Sequence, residues 1–150
     1  MNREECTLRH RLRVRWSEID MQRVVFNPQY LVYFDVAVAE YWRAMAAGKQ
    51  PELHDYYLRL YSVKATIEFH APARYDEEID VCCRVALIGR SSLTFAFGIW
   101  RGDEQLVSGE IVYVYTDQET QRSAPVPEPL RRAILAYERI EPELASSASA

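Results

Sequence analysis

Residues 7–16 alternate strictly between apolar and polar: Leu8, Leu12, Val14 and Trp16 interleave with Arg9, Arg11, Arg13 and Arg15, and His10 interrupts the apolar set. A period of two predicts a strand with one apolar and one basic face. After an irregular stretch over 17–26 the period changes. Leu31, Phe34, Val38, Tyr41, Trp42 and Met45 recur at helical spacing and predict a helix over 28–47. Asn27 suits its N-cap, Pro28 its first turn, where a missing N–H costs nothing, and Gly48 its stop. Aromatic residues run around much of this helix, which predicts a mostly buried element. Residues 49–60 read as a connection with one helical turn over 53–58. Period two then returns in four sets, led by Val63, Ile79, Leu93 and Val107, the last running over 106–116. The breaks at 72–78, 89–92 and 101–104 are short and predict antiparallel neighbours joined by hairpins. Pro125, Pro127 and Pro129 precede a short final helix on Leu130, Ala133, Ile134 and Tyr137. Residues 1–140 read as one domain and 141–150 as a disordered tail, only Ala and Ser from 145 onward.

The order strand, long helix, four strands, short helix predicts an α+β fold. One antiparallel five-stranded sheet and one apolar helix bury each other, and the C-terminal helix is added to them. A curved sheet of this kind keeps free edges, which favours pairing between subunits. A chain of 150 residues fits one domain and buries a sufficient core without a disulfide or metal staple. Eighteen basic against twenty-two acidic side chains, a formal charge of −4, argue against a general nucleic-acid binder. No apolar run approaches the roughly 18 residues of a membrane span, and the charged first fifteen residues lack the apolar core of a secretion signal. Cys6, Cys82 and Cys83 show no paired spacing, and His10, His54 and His70 are scattered. This predicts reduced thiols in a cytoplasmic protein and no metal site.

The stretch from Trp16 to Tyr30 carries the candidate chemistry. Asp20 precedes a helix start at Asn27 by a few residues, and the free N–H groups of a helix N-terminus attract negative charge. A carboxylate beside an oxyanion site suits attack on an acyl carbon. Spacing alone favours the blander reading, a loop aspartate that caps a turn or sits in solvent. The pattern Glu18, Asp20, then Val24, Val25, Phe26, Asn27, then Tyr30, Leu31, Tyr33, Phe34 and Asp35 resembles the signature of hot-dog-fold thioesterases of the 4-hydroxybenzoyl-CoA thioesterase type. The resemblance covers residues 7–115, because the strand order is also that of the hot-dog fold. It speaks to the family more than to the substrate.

The resemblance implies an acyl-CoA thioesterase. Asp20 matches the catalytic carboxylate, acting as nucleophile through a mixed anhydride or as general base on water. Asn27 matches the residue whose backbone N–H polarises the thioester carbonyl. No cofactor is implied beyond the coenzyme A of the substrate, and the partners are that substrate and a second copy of the chain, in a homodimer or a dimer of dimers. Arg23 stands where the family commonly has Gly. It implies a narrowed pocket, a positive charge near substrate, or the alternative of a non-catalytic acyl-CoA-binding subunit on the same fold. Val25, Phe26 and Tyr30 would line the acyl site, with Tyr33 and Phe34 favouring a fatty or aromatic tail. Arg90 and Ser91 would lie near the CoA moiety, against the plainer reading of an exposed turn arginine. Asp35, placed on the apolar helix stripe, reads either as a site-lining acid or as half of a structural ion pair. The arginine stripe reads as a solvated face matched by acids such as Glu68 or Asp80 opposite. His70 reads as surface, and a hydratase or dehydratase with a catalytic histidine motif finds no match.

Overall fold

The computed structural model describes residues 1–47 and 52–145. Strand β1 (Leu8–Arg13) leads through a 3₁₀ turn at Trp16–Glu18 to helix α1 (Gln29–Ala46) and the short helix α2 (Glu52–Tyr57). Then come β2 (Leu60–Phe69), β3 (Glu78–Ile88), β4 (Ser92–Arg101), β5 (Glu104–Tyr115), α3 (Glu128–Tyr137) and the two-residue β6 (Glu143–Leu144). The sheet order is β1-β3-β4-β5-β2, with antiparallel neighbours along that path.

Helix α1 lies in the concave face of this sheet. Tyr30, Tyr33, Phe34, Ala37, Val38, Tyr41, Trp42 and Met45 form its buried stripe. They meet Val81, Cys83 and Val85 of β3, Phe95 and Phe97 of β4, and Ile111 of β5, all in one buried cluster. Phe34 stacks on Phe97 with ring centroids 4.3 Å apart. Each such side chain contributes about 1.5–3 kcal/mol by leaving water. The Phe34 ring reaches across to Gly109 of β5. A Cβ there would stand 2.6 Å from the Thr66 carbonyl oxygen and 2.9 Å from the Phe34 ring.

Several expectations change. The helix is buried on one face only; Leu31, Val32 and Asp35 are exposed, so Asp35 does not lie on the apolar stripe. The stripe follows Tyr30, Tyr33, Phe34 and Ala37, and Asp35 is turned about 100° away from Phe34. Gly48 lies outside the described residues. Trp16 leaves the apolar face because β1 ends at Arg13 and the chain turns outward. The 72–78 break is not a hairpin: β2 pairs with β5, and β3 with β1 and β4. The connection over 70–77 crosses one end of the sheet. At about 3.3 Å per extended residue it readily spans three inter-strand gaps of about 4.8 Å, so its shortness does not force pairing. Strand β3 slips register between Val85 and Leu87, which turns Ile88 rather than Leu87 inward. Within the expected tail, Glu143 and Leu144 pair in parallel with Leu87 and Ile88, giving six strands rather than five.

The basic face of β1 is matched from β3. Arg11 stands opposite Asp80 and Arg13 opposite Glu78, whereas Glu68 is on the far strand β2. The Arg11 guanidinium at 2.9 Å, joined by Arg3 at 2.7 Å, holds the buried Asp80 carboxyl below its ordinary range. At the opposite end of the sheet from the 16–30 stretch, Glu138 follows α3 and is buried. It accepts hydrogen bonds from the Tyr41 hydroxyl and the Val85 N–H, both at 2.7 Å, and from the Thr7 hydroxyl. Strand β2 is exposed along most of its length, including Tyr61, Val63 and Phe69, and its outer edge pairs with no other strand among the described residues.

Candidate active site

Residues 16–28 fold as a short hairpin between β1 and α1, closed by a bridge between Ile19 and Val25. Three anchors hold it. The Phe26 N–H donates to the Glu18 carbonyl at 2.9 Å, the Val25 N–H to the Ala73 carbonyl at 2.9 Å, and the Ala73 N–H to the Tyr30 hydroxyl at 2.9 Å. Ala73 therefore ties the hairpin, the helix start and the 70–77 crossover to one point.

Glu18, part of the matched signature but without an assigned role, is the buried keystone of this hairpin. Its carboxylate accepts from the Tyr33 hydroxyl at 2.6 Å, the Arg15 N–H at 2.8 Å and the Arg15 guanidinium at 2.7 Å. Burial pushes its pKa up, and these donors more than offset that, holding it below the ordinary carboxylate range. Burial, reinforced by the bond to Glu18, raises the Tyr33 phenol well above the usual range, so it stays a donor. Tyr33 therefore belongs to the core, not to an acyl pocket.

Asp20 lies at the hairpin turn and is half-buried. Its Oδ1 accepts from the Gln22 N–H at 2.8 Å, an Asx-type turn that leaves the other oxygen without a protein donor among the described residues. The turn closes through Arg23 N–H to the Asp20 carbonyl at 3.0 Å, with Arg23 at φ 63. That left-handed backbone is the one glycine adopts freely. Arg23 keeps the turn and carries its side chain into solvent.

The expected N-cap differs. Pro28 occupies the cap position, and the Asn27 side chain makes no capping bond; the helix starts through tight turns, with Gln29 N–H on the Phe26 carbonyl and Tyr30 N–H on the Asn27 carbonyl. The Asn27 N–H donates to no protein group among the described residues. Asn27 lines a cleft of about 380 Å³ together with Gln22, Val24, Val25, Tyr30 and, from the end of β2 onward, Phe69 to Pro72. Tyr30 packs on Phe69 with centroids 5.8 Å apart. Asp20 stands behind Gln22 and Val24, each bonded to it, rather than in the wall itself. Phe26 is exposed and outside the cleft.

The structure thus brings Asp20, Val25, Asn27 and Tyr30 to one hairpin and cleft. It does not bring Arg90 and Ser91 there. They sit in the β3–β4 turn, bonded through their carbonyls to Val126 and Tyr115 at the other end of the strands. Asp35 is exposed nearly two turns along α1. His70 also lines the cleft, and its Nε2 lies 2.8 Å from the Ser108 hydroxyl, which reaches Glu68 at 3.4 Å. The sequence marks His70 only as an outward residue of β2, because the crossover that brings β2 to the hairpin is not visible in the pattern. Among the described residues no group of three or more His, Cys, Asp or Glu side chains gathers as a metal site.

A family model described as the thioesterase-like superfamily matches residues 14–134, which span the hairpin, α1 and strands β2 to β5. The chain belongs to that superfamily. This member is a thioester hydrolase with the hot-dog fold. It is similar to a putative esterase of Aquifex aeolicus, 27% identical over 94 residues that cover 63% of this chain and 73% of that one. Its fold matches a Thermus thermophilus thioesterase solved with coenzyme A and zinc, with a TM-score of 0.80 and 26% identity over 90% of this chain and 96% of that one. It also matches a 1,4-dihydroxy-2-naphthoyl-CoA thioesterase from Synechocystis at a TM-score of 0.71, with 21% identity over 84% and 93% of the two chains, which shows a shared fold.

Proposed function

We propose that this thioesterase hydrolyses acyl-CoA thioesters of fatty or aromatic acids to the free acid and CoA, using Asp20 and the Asn27 N–H. The observation that carries this reading is the Asn27 N–H, without a protein acceptor among the described residues, on a residue that lines the cleft at the start of α1. A carbonyl oxygen placed there gains a donor and the positive end of the helix dipole as its charge develops. One such donor contributes about 2.7–4 kcal/mol of barrier lowering in comparable sites. Asp20 then attacks the acyl carbon, expelling thiolate and leaving a mixed anhydride for water to open, or it takes the proton of a water that attacks directly. A thiol of pKa about 8.5 leaves with little help from an acid, so few groups suffice. No metal or redox cofactor enters either route.

Val25 and Tyr30 supply apolar wall, and Phe26, exposed in the single chain, would close over substrate. Arg23 keeps the glycine-like turn and is not a wall of the cleft, which supports the enzyme over a non-catalytic subunit. The bare edge of β2 supports a homodimer, with β2 pairing to its twofold mate. Antiparallel pairing would set the far end of the second copy, with its Arg90 and Ser91, beside the cleft of the first. The three cysteines are free, which supports a reducing, cytoplasmic setting.

Thiol release from a panel of acyl-CoAs tests the reading. Wild type releases thiol; Asp20→Asn retains acyl-CoA binding and loses turnover. Turnover untouched by the substitution removes Asp20 from its role, and binding without hydrolysis in wild type favours the non-catalytic subunit. Val63→Glu, on the β2 edge, converts the dimer to monomer in light scattering if that edge is the interface.

A further inference from the structure

We propose that the exposed aromatic pair Trp16–Tyr75, with Arg74 beside it, docks the adenosine 3′,5′-bisphosphate end of the CoA thioester. This rests on the acyl-CoA reading above and adds to it the place of the nucleotide. Trp16 is 78% exposed and Tyr75 52% exposed, yet their rings meet edge to face, with centroids 5.3 Å apart and an interplanar angle of 85°. The two residues come from the two connections that build the cleft, the hairpin after β1 and the crossover before β3. Neither belongs to the buried cluster. Two large apolar rings held in water at a fixed angle offer a face on which a purine stacks.

The charges around them are unevenly matched. Arg13 engages both Asp76 and Glu78, Arg101 engages Glu77, and Arg15 engages Glu18. Arg74 gives its backbone N–H to Glu77 at 2.9 Å, while its exposed guanidinium meets no carboxylate among the described residues. The exposed Arg23 guanidinium, at the hairpin turn, likewise has none. The acids of the crossover are thus neutralised in place, and the Arg74 guanidinium, on the residue next to Tyr75, remains free for phosphate oxygens.

Chain continuity sets the direction. Pro72 walls the cleft, Ala73 bonds the hairpin and the Tyr30 hydroxyl, and Arg74 and Tyr75 follow directly. A thioester whose carbonyl sits at the Asn27 N–H has its pantetheine arm leaving past Pro72, with the nucleotide arriving at Tyr75 and Trp16. An acyl-carrier protein would also meet the arginines, but it has no purine to place on the rings.

The test compares an acyl-CoA with the same acyl group on pantetheine alone. In wild type the CoA ester has the higher kcat/KM. In Trp16→Ala and in Arg74→Gln the ratio of the two values falls about tenfold, through KM of the CoA ester, the scale of one lost stacking or phosphate contact. Adenosine 3′,5′-bisphosphate competes with acyl-CoA in wild type and loses that inhibition in Trp16→Ala. An unchanged ratio, or equal losses on both substrates, overturns the proposal; Tyr75→Leu repeats the measurement should Trp16→Ala fold poorly. Losses confined to acyl-carrier protein substrates overturn it in favour of a protein partner. If wild type hydrolyses neither ester, the catalytic reading fails. Direct calorimetry of adenosine 3′,5′-bisphosphate on wild type and Trp16→Ala then decides the docking surface by itself.

Discussion

Glu138 and Asp20 stand at opposite ends of the same sheet. Glu138 is buried and accepts from two hydroxyls and one backbone N–H, donors drawn from β1's approach, α1 and β3. Asp20 is half-buried and, among the described residues, its carboxylate accepts from the Gln22 N–H alone. A carboxylate whose lone pairs are filled by fixed donors is committed to holding the fold, because each donor it satisfies would otherwise be stranded. One with an empty oxygen beside a cleft is available to a reacting atom. Glu18 combines the two situations: saturated and buried like Glu138, yet placed two residues from Asp20, where it fixes the hairpin that Asp20 turns.

This contrast breaks if the two ends respond alike to mutation. Asp20→Asn lowers turnover about 10²–10⁴-fold, the range of a lost acid–base or nucleophilic group, while thermal unfolding stays within about 2 °C of wild type. Glu138→Ala does the reverse. It strands the Tyr41 hydroxyl and the Val85 N–H and costs about 2–5 kcal/mol of stability in denaturant titration, with kcat of the surviving folded protein near wild type. Glu18→Gln moves both readouts, by about 1.5–3 kcal/mol in stability and severalfold in kcat/KM. Its pH dependence sharpens the point. The folded pKa of Glu18 is depressed, so its contribution is complete above the unfolded value of about 4.3 and is lost as pH falls through the folded value. The stability gap between wild type and Glu18→Gln therefore narrows below about pH 4. Arg23→Gly has the smallest effect. It relieves a left-handed side chain but loosens the unfolded chain, and the two nearly cancel to within about 1 kcal/mol.

The elements were largely legible because each is a local pattern. Leu93, Phe95, Phe97 and Ile99 are all buried in β4, although Ala96 and Gly98 between them are buried as well, and the α1 stripe follows its helical period from Phe34 to Met45. Losses begin where meaning depends on distant residues. Tyr41 and Glu138 are 97 positions apart, so nothing local marks Glu138 as a buried hub. The crossover at 70–77 has the length of a hairpin and only the sheet order tells them apart. The slip between Val85 and Leu87 is a backbone event without a sequence mark, and a strand as short as Glu143–Leu144 has no period to read. At the site, Asp20 and Asn27 stood out through the matched motif. Glu18, His70 and Ala73 acquire their roles from partners that folding supplies.

Gly109 gives the helix its seat, and that seat governs more than packing. A methyl group at 109 would crowd the Phe34 ring, and Phe34 lies about two turns beyond Asn27 on the same rigid rod. Gly109→Ala would press on the Thr66 carbonyl of β2 and on the Phe34 ring of α1 together, moving the helix and the proposed oxyanion donor at its start against a hairpin pinned separately by Ala73. Alignment in the proposed reaction would thus be set partly by the lack of a side chain on β5, where no search of the cleft would look.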